Sequence, residues 1–201
     1  MTSRSVVRRA GMASPPKARV VRQGVVGEAL DGYFHVTHLR NLDSIQKRGL
    51  LVKPPERTYG KEAGVVETIG GIYLAPAGYK LETVLDMVCS DGKRAQKVGV
   101  LAVRVEAGTR FCLAEDEVNA FLGMRDDELE ALDAEVFGSS GVIFEAVADC
   151  GHRNFYCSRR KLDRWSCALA KVIDQSKLLR FNIRVFSPPT ITAITVEPCL
   201  R

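Results

Sequence analysis

The stretch YFHVTHLRNLDSIQKRGL, at residues 33–50, carries the signals of a strand and of a helix. Its first five residues, 33–37, are aromatic or β-branched apart from one histidine, so they predict a short strand. Either Asn41 or Asp43 can cap a helix after that strand. Gly49 stands where a left-handed residue commonly ends a helix. The stretch therefore predicts a strand followed directly by a short helix.

The rest of the chain continues this mixture of strands and helices. Further short strands are predicted at residues 72–74, 98–105, 141–147, 179–185 and 191–196, and amphipathic helices at residues 81–88 and 162–173. A Gly- and Pro-containing loop spans residues 53–71 and exceeds the usual length of a connection. Five or six short strands with irregularly placed helices predict an α+β fold and not a doubly wound parallel sheet.

Charge is distributed unevenly along the chain. The formal net charge is +5, yet residues 1–27 hold six bases and no acid. This segment cannot bury enough apolar surface to offset its ordering entropy, so we expect a disordered basic arm. An Arg-rich segment without acids is also typical of an organelle transit peptide. Residues 28–201 are nearly neutral and form one predicted domain.

Composition restricts the environment of the protein. No apolar run reaches the roughly 18 residues of a membrane-spanning helix, so no membrane association is predicted. The sequence has six cysteines, and nothing in it marks the chain for export. We therefore predict reduced thiols and a cytoplasmic location. No C-x-x-C pair is present, and we therefore predict no metal site.

Two charged blocks stand out. Residues 115–135 contain nine acids and one base, and we interpret most of these acids as the solvated face of a helix. Residues 153–184 contain nine bases and two acids, with aromatic residues interspersed. This basic block suits contact with nucleic-acid phosphates and bases, although a solvated helix face is the more common reason for such a run.

The common nucleotide-binding and hydrolase motifs are absent, and the polar groups that stand out are in His35-Val36-Thr37-His38. On a strand, His35 and Thr37 face one side while His38 closes the end. No acid or cysteine lies at chelating spacing, so a hydrogen-bonding role is more plausible than metal binding.

The segment at residues 33–50 resembles the opening motif of ADP-ribosyltransferases, and most of all that of the DarT group of DNA-modifying toxins. The pattern is an aromatic residue, His-x-Thr-His, Asn-Leu, Ile and Gly-Leu. Residues 72–76 are similar to that group's second strand, and residues 187–196 to its closing strands. The likeness is dense over the first segment, thin over the other two and absent elsewhere.

This resemblance implies an ADP-ribosyltransferase-like split pair of small mixed or antiparallel sheets with NAD, the substrate, in the cleft between them. His35 and Thr37 would reach the adenosine ribose and the carboxamide side, and Tyr73 or Tyr79 would stack on the nicotinamide ring. Arg57 occupies roughly the place of the family's catalytic arginine. The implied NAD-binding residues are His35, Thr37, His38, Gly49, Tyr73 and Tyr79.

The sequence departs from the pattern at the catalytic acid, because residues 181–185 contain none. Glu145 lies in an apolar segment that we interpret as a strand, so its carboxylate would face either water or a cleft. We take it as the substitute acid, ahead of Glu135, whose neighbours indicate a solvated helix.

The predicted activity is transfer of ADP-ribose from NAD to a macromolecular acceptor, with nucleic acid held by the basic block as one candidate. Two alternatives remain open. One is NAD-dependent removal of a 2′-phosphate from RNA, for which Arg40, Arg48 and Arg57 could hold phosphate. The other is a module of the same fold that binds NAD or nucleic acid without catalysis.

Overall fold

The computed structural model describes residues 23–52, 70–90, 97–151, 157 and 159–199. The strands are β1 Gly24–Val25, β2 Leu30–His38, β3 Ile72–Pro76, β4 Lys97–Val105, β5 Arg110–Leu113, β6 Ile183–Val185 and β7 Thr190–Pro198. The α-helices are α1 Leu42–Arg48, α2 Tyr79–Ser90, α3 Glu115–Leu122, α4 Asp126–Val136, α5 Val142–Cys150 and α6 Arg159–Val172. Short 3₁₀ helices occupy Leu39–Asn41 and Gln175–Arg180.

The α+β class is confirmed, but the split pair of sheets is wrong. The described strands form one seven-stranded antiparallel sheet in the order β1-β5-β6-β3-β2-β4-β7. β3 is the joint, since it pairs with β6 along one edge and with β2 along the other. Its pairing with β2 is short, at Tyr33↔Pro76 and Phe34↔Ala75. The two halves therefore share one strand instead of separating around a cleft.

The predicted strand–helix unit at residues 33–50 is confirmed as β2 and α1. Tyr33 is fully buried, and its hydroxyl donates to the main-chain oxygen of Leu178, 2.6 Å away. Gly49 follows α1 with φ 71°, a left-handed conformation that glycine adopts without strain. Leu42 packs onto Gly99 of β4, where a Cβ would lie 2.6 Å from its Cδ2. The motif thus anchors the centre of the sheet.

Two apolar clusters cover opposite faces of the sheet. Alternating residues of β4 show the division, since Val98 and Val100 contact the cluster under α2, whereas Leu101 and Val103 belong to the larger cluster with the later helices. This alternation follows from the two-residue period of a strand. Both faces of the central strands are therefore buried.

Two segments differ from the sequence prediction. Residues 141–147 were predicted as a strand, yet Val142–Cys150 form α5. The buried positions of that helix are Ile143, Ala146, Val147 and Cys150, which repeat at i, i+3, i+4 and i+7, so helical periodicity outweighs the β-propensity of the segment. The strand predicted at residues 179–185 is confined to β6, because Gln175–Arg180 form a 3₁₀ helix.

The end of the predicted basic arm belongs to the sheet. Gly24–Val25 form β1, which pairs with β5, and Val26 is buried in the larger cluster. A Cβ on Gly24 would lie 2.2 Å from the main-chain oxygen of Ala170 in α6, so this close approach requires glycine. Residues 1–22 of the arm lie outside the described residues.

All six cysteines form disulfides, so the prediction of reduced thiols is wrong. The pairs are Cys89–Cys199, Cys112–Cys167 and Cys150–Cys157. Three disulfides would be unusual for a cytoplasmic protein, because the cytosol keeps thiols reduced. Among the described residues, no helix has the length and apolar character needed to cross a membrane.

The Cys89–Cys199 bond should contribute most to stability, because its sequence separation of 110 closes the longest loop. In the chain-entropy model, the C89A/C199A double variant loses about 5 kcal/mol of unfolding free energy. The C150A/C157A double variant, with a separation of 7, loses about 2.5 kcal/mol. Urea unfolding under non-reducing conditions measures both values. Equal losses, or free thiols in non-reducing peptide maps of the wild type, would contradict this assignment.

Candidate functional site

β2 presents the histidine motif towards β3 and α1. The Nδ1 of His35 lies 2.9 Å from the main-chain oxygen of Tyr73, so this nitrogen donates the hydrogen bond. Thr37 is buried, and its hydroxyl oxygen accepts from Nδ2 of Asn41 at 2.9 Å. His38 is half-buried at the end of β2. His35 and Thr37 therefore take part in hydrogen bonds that join β2 to its neighbours.

Tyr73 connects this motif to a group of acids in α3. Its hydroxyl donates to Oδ2 of Asp116 at 3.1 Å. The guanidinium of Arg184, on the neighbouring strand β6, lies over its ring, 4.6 Å from the ring centroid. A cation thus covers one face of the Tyr73 ring, and Tyr73 is one of the two tyrosines, with Tyr79, on which we predict that nicotinamide stacks. Stacking of nicotinamide on Tyr73 stays a prediction, and it would use the ring face opposite Arg184.

The acids Glu115, Asp116 and Glu117 form the first turn of α3, and two of them are almost fully buried. Glu115 is 2% and Glu117 is 4% exposed. The interpretation of this block as a solvated face is therefore wrong at its beginning. We name as the carboxylate cluster these three acids together with the groups that contact them, Tyr73, Lys80, Asn182 and Arg184.

Two of the three acids are ion-paired. Glu115 Oε2 lies 3.3 Å from Nε of Arg184, and both side chains are buried. Glu117 Oε1 lies 3.0 Å from Nζ of Lys80, in the first turn of α2. Each of these pairs joins α3 to a different element, since Arg184 belongs to β6 and Lys80 to α2.

Asn182 is the hub of the cluster, directly before β6. Its main-chain N–H donates to Oε1 of Glu117 at 2.8 Å, and its Nδ2 donates to Oδ2 of Asp116 at 2.7 Å. Its main-chain oxygen accepts from the N–H of Ala114 at 2.9 Å. Three bonds from one residue fix the first turn of α3 against the sheet. This is the position where the sequence showed an amide and the family pattern an acid.

Asp116 differs from its two neighbours because no cation contacts it among the described residues. Its Oδ2 accepts from two neutral donors, Tyr73 and Asn182. Its Oδ1 is buried and has no hydrogen-bond partner in the part of the chain that the structure describes, and the same holds there for Oδ1 of Asn182, a residue only 4% exposed. A buried acceptor without a partner costs free energy. Two such acceptors together favour a ligand that donates hydrogen bonds or carries positive charge.

Burial controls the titration of the cluster. Desolvation, helped by the charge of Asp116, raises the pKa of Glu117 to about 7, although Lys80 and the N–H of Asn182 lower it. Burial likewise raises the pKa of the Tyr73 hydroxyl far above its ordinary value, with Asp116 adding to the effect. Tyr73 is therefore a neutral hydrogen-bond donor, and Glu117 changes its charge near neutral pH.

The remaining predicted residues lie elsewhere. Glu145 is on the exposed side of α5, so the argument that placed its carboxylate on an apolar strand no longer holds. Gly49 directly follows α1 and adopts a positive φ there, so its observed role is in the backbone. Arg57 lies outside the described residues, as does the side chain of Tyr79, the first residue of α2. The structure brings together His35 and Tyr73 but not Glu145 with either.

Most of the bases whose side chains the structure describes in the basic block at residues 153–184 are paired with acids. Lys161 and Arg164 both contact Asp149, and Lys177 and Arg180 both contact Glu135. Arg184 is buried against Glu115, as described above. These pairs reduce the positive charge that the described part of the block offers to a nucleic acid. The nucleic-acid interface remains a prediction with less support than the sequence suggested.

Sequence reasoning missed Asp116, Glu117 and Asn182. The available signal was the position of three acids directly after the apolar run Phe111–Ala114, where a helix N-terminus favours carboxylates. The high acid content of the following residues masked this signal. Asn182 lies in the segment without an acid, and nothing in its local sequence indicates that it contacts one.

No protein-family model, no curated protein and no solved structure matches this chain. No group of three or more His, Cys, Asp or Glu residues with metal-binding geometry occurs in the described part of the chain. The case for a function therefore comes from the carboxylate cluster and from the motif at residues 33–50.

Glu117 should make stability depend on pH. Its carboxyl has a pKa raised from 4.5 to about 7, so the folded chain favours the neutral form, and this contribution is complete below pH 4.5. The contribution is lost as pH rises through about 7. Relative to E117Q, which stays neutral, the wild type should lose about 3 kcal/mol of unfolding free energy between pH 4 and 8.

Chemical denaturation of both proteins across this pH range measures the difference. The D127N variant, which changes an exposed acid of α4, serves as the control and should follow the wild type. A constant difference between the wild type and E117Q would contradict the raised pKa.

Proposed function

We propose that this chain transfers the ADP-ribosyl group of NAD to a macromolecular acceptor, with Asp116 as the catalytic carboxylate. The observation that carries the proposal is the state of this side chain. It is held by Tyr73 and Asn182, and the described residues supply neither a cation in contact with it nor a hydrogen-bond partner for its Oδ1.

The chemistry of the reaction suits such a carboxylate. The bond between ribose C1′ and the nicotinamide nitrogen breaks, and its electron pair leaves with nicotinamide, which becomes neutral. Positive charge develops on the ribose in an oxocarbenium-like transition state, as in glycoside cleavage. A fixed carboxylate in a partly desolvated place stabilises that charge more strongly than water does. The acceptor then bonds to C1′ and loses a proton.

The structure also supports the proposal through connectivity. His35 of the motif contacts the main chain of Tyr73, and the side chain of Tyr73 contacts Asp116. Tyr73 thus links the motif that resembles an NAD-binding segment to the carboxylate of Asp116. Asp116 also lies against Asn182, in the segment where the family pattern has its acid. On this proposal, the missing acid is supplied by the adjacent helix.

The alternative of removing a 2′-phosphate from RNA has less support. That reaction needs basic groups that can hold a phosphate, yet Lys80 and Arg184 are each paired with an acid of the cluster. The acceptor of ADP-ribose and the part played by the basic block remain proposals. As to location, the three disulfides favour an oxidising compartment over the cytoplasm.

Nicotinamide release from NAD tests the proposal. The wild type should release nicotinamide, by transfer to water where no acceptor is present, and D116N should reduce the rate by about 10²-fold because the developing charge loses its carboxylate. Asparagine keeps the shape of the side chain, so the affinity for NAD should change much less than the rate. Chromatography measures the product, and calorimetry measures NAD binding.

The D127N variant makes the same acid-to-amide change outside the cluster and should retain the wild-type rate. E145Q decides between the two candidate acids, since loss of activity there, with D116N active, would move the catalytic role to α5. NAD binding without nicotinamide release would favour the binding module. A chain that neither binds NAD nor releases nicotinamide would contradict the proposal.

A further inference from the structure

We propose that Glu117 is a positioning residue, whose ionised carboxylate, paired with Lys80, holds Asn182 so that the amide of Asn182 fixes Asp116 in its reactive orientation. This inference rests on the proposed function, and it adds a second carboxylate that acts on the reaction without touching the substrate.

The contacts form a continuous chain from the surface to Asp116. Lys80 Nζ lies 3.0 Å from Oε1 and 3.3 Å from Oε2 of Glu117, so it contacts both oxygens. Oε1 of Glu117 also accepts from the main-chain N–H of Asn182 at 2.8 Å. The side chain of the same Asn182 donates to Asp116 at 2.7 Å. Asn182 therefore transmits the state of Glu117 to Asp116.

Ionisation strengthens two of these contacts. A hydrogen bond to a charged acceptor is shorter and roughly twice as strong as one between neutral groups. When Glu117 is protonated, its ion pair with Lys80 is lost, and the N–H of Asn182 bonds to a weaker acceptor. These contacts join α2, α3 and the start of β6, so protonation weakens the bonds between the three elements, although the neutral carboxyl is the form that the folded chain favours overall.

The surroundings of Glu117 place this change near neutral pH. The groups that face it are Asp116 on its own helix, Lys80 on α2, Tyr33 on β2, Tyr73 on β3 and the N–H of Asn182 before β6. Of these, Lys80 is the cation, and it lowers the pKa, whereas burial and Asp116 raise it. Substitution of Lys80 therefore changes the pKa of Glu117 without changing Glu117 itself.

The test is the pH profile of nicotinamide release, with kcat and KM for NAD measured separately from pH 5 to 9. In the wild type, kcat should rise with pH through a midpoint near 7. K80M removes the cation, so its midpoint should move upward by about 1 pH unit. K80R restores the cation and should return the midpoint to the wild-type value. The control K97M removes an exposed lysine of β4 and should leave the profile unchanged.

E117Q removes the titrating group itself. Its kcat should lose the rise near pH 7 and at pH 8 should be at least about tenfold below the wild type, with KM for NAD changed less than threefold. A merely structural role would lower activity at every pH and leave the midpoint where it is. Circular dichroism and thermal unfolding establish whether each variant is folded.

If E117Q does not fold, the comparison of K80M with K80R decides the question, since Lys80 is partly exposed in the first turn of α2. An active wild type whose midpoint is the same in K80M overturns the inference and leaves the proposed function intact. A folded E117Q variant with the wild-type profile does the same. A wild type that releases no nicotinamide at any pH overturns both.

Discussion

The amide of Asn182 is the contact on which the rest of the site depends. Asn182 stands directly before β6. Its side-chain amide donates to Asp116, its main-chain N–H donates to Glu117, and its main-chain oxygen accepts from the N–H of Ala114. The start of β6 and the first turn of α3 are thereby held in one geometry. The acids of this first turn are also where the positive end of the helix dipole stabilises negative charge. The hydrogen bonds of Asn182 therefore hold the carboxylates of Asp116 and Glu117 in place at this end of the helix.

The carboxylate cluster lowers the stability of the fold and at the same time offers a potential function. Glu117 is buried and ionises near neutral pH, and the described residues supply no hydrogen-bond partner for Oδ1 of Asp116. Both features lower stability compared with an apolar packing of the same volume. Strained or poorly satisfied polar groups of this kind concentrate at functional sites. The disulfides, above all Cys89–Cys199, which joins α2 to the residue after β7, supply stability elsewhere in the chain.

Local patterns in the sequence predicted the elements that depend on local chemistry. The strand and helix of residues 33–50, with Gly49 at the helix end, follow from β-propensity and capping. The sequence misled where tertiary contacts decide. At residues 142–150, the four buried positions have helical spacing, but the β-branched residues suggested a strand. The joining of the two half-sheets through β3 depends on pairings between distant segments, which no local pattern reveals.

The site was harder to predict than the fold for the same reason. Asp116 and Asn182 are 66 residues apart in sequence, and neither is unusual in its local context. The disulfides were missed because cysteine pairing depends on spatial proximity and compartment, and not on spacing alone. His35 and Tyr73 were identified from the resemblance of their segments, and the structure places them in contact.

The most direct measurement is a crystal structure of the chain with a non-hydrolysable NAD analogue. We expect the ribose next to nicotinamide to lie against α3, with its hydroxyl groups or C1′ in contact with Asp116 and with Asn182 still bonded to that carboxylate. An analogue bound away from Asp116, or a carboxylate turned away from Asn182 towards a protein cation, would contradict it.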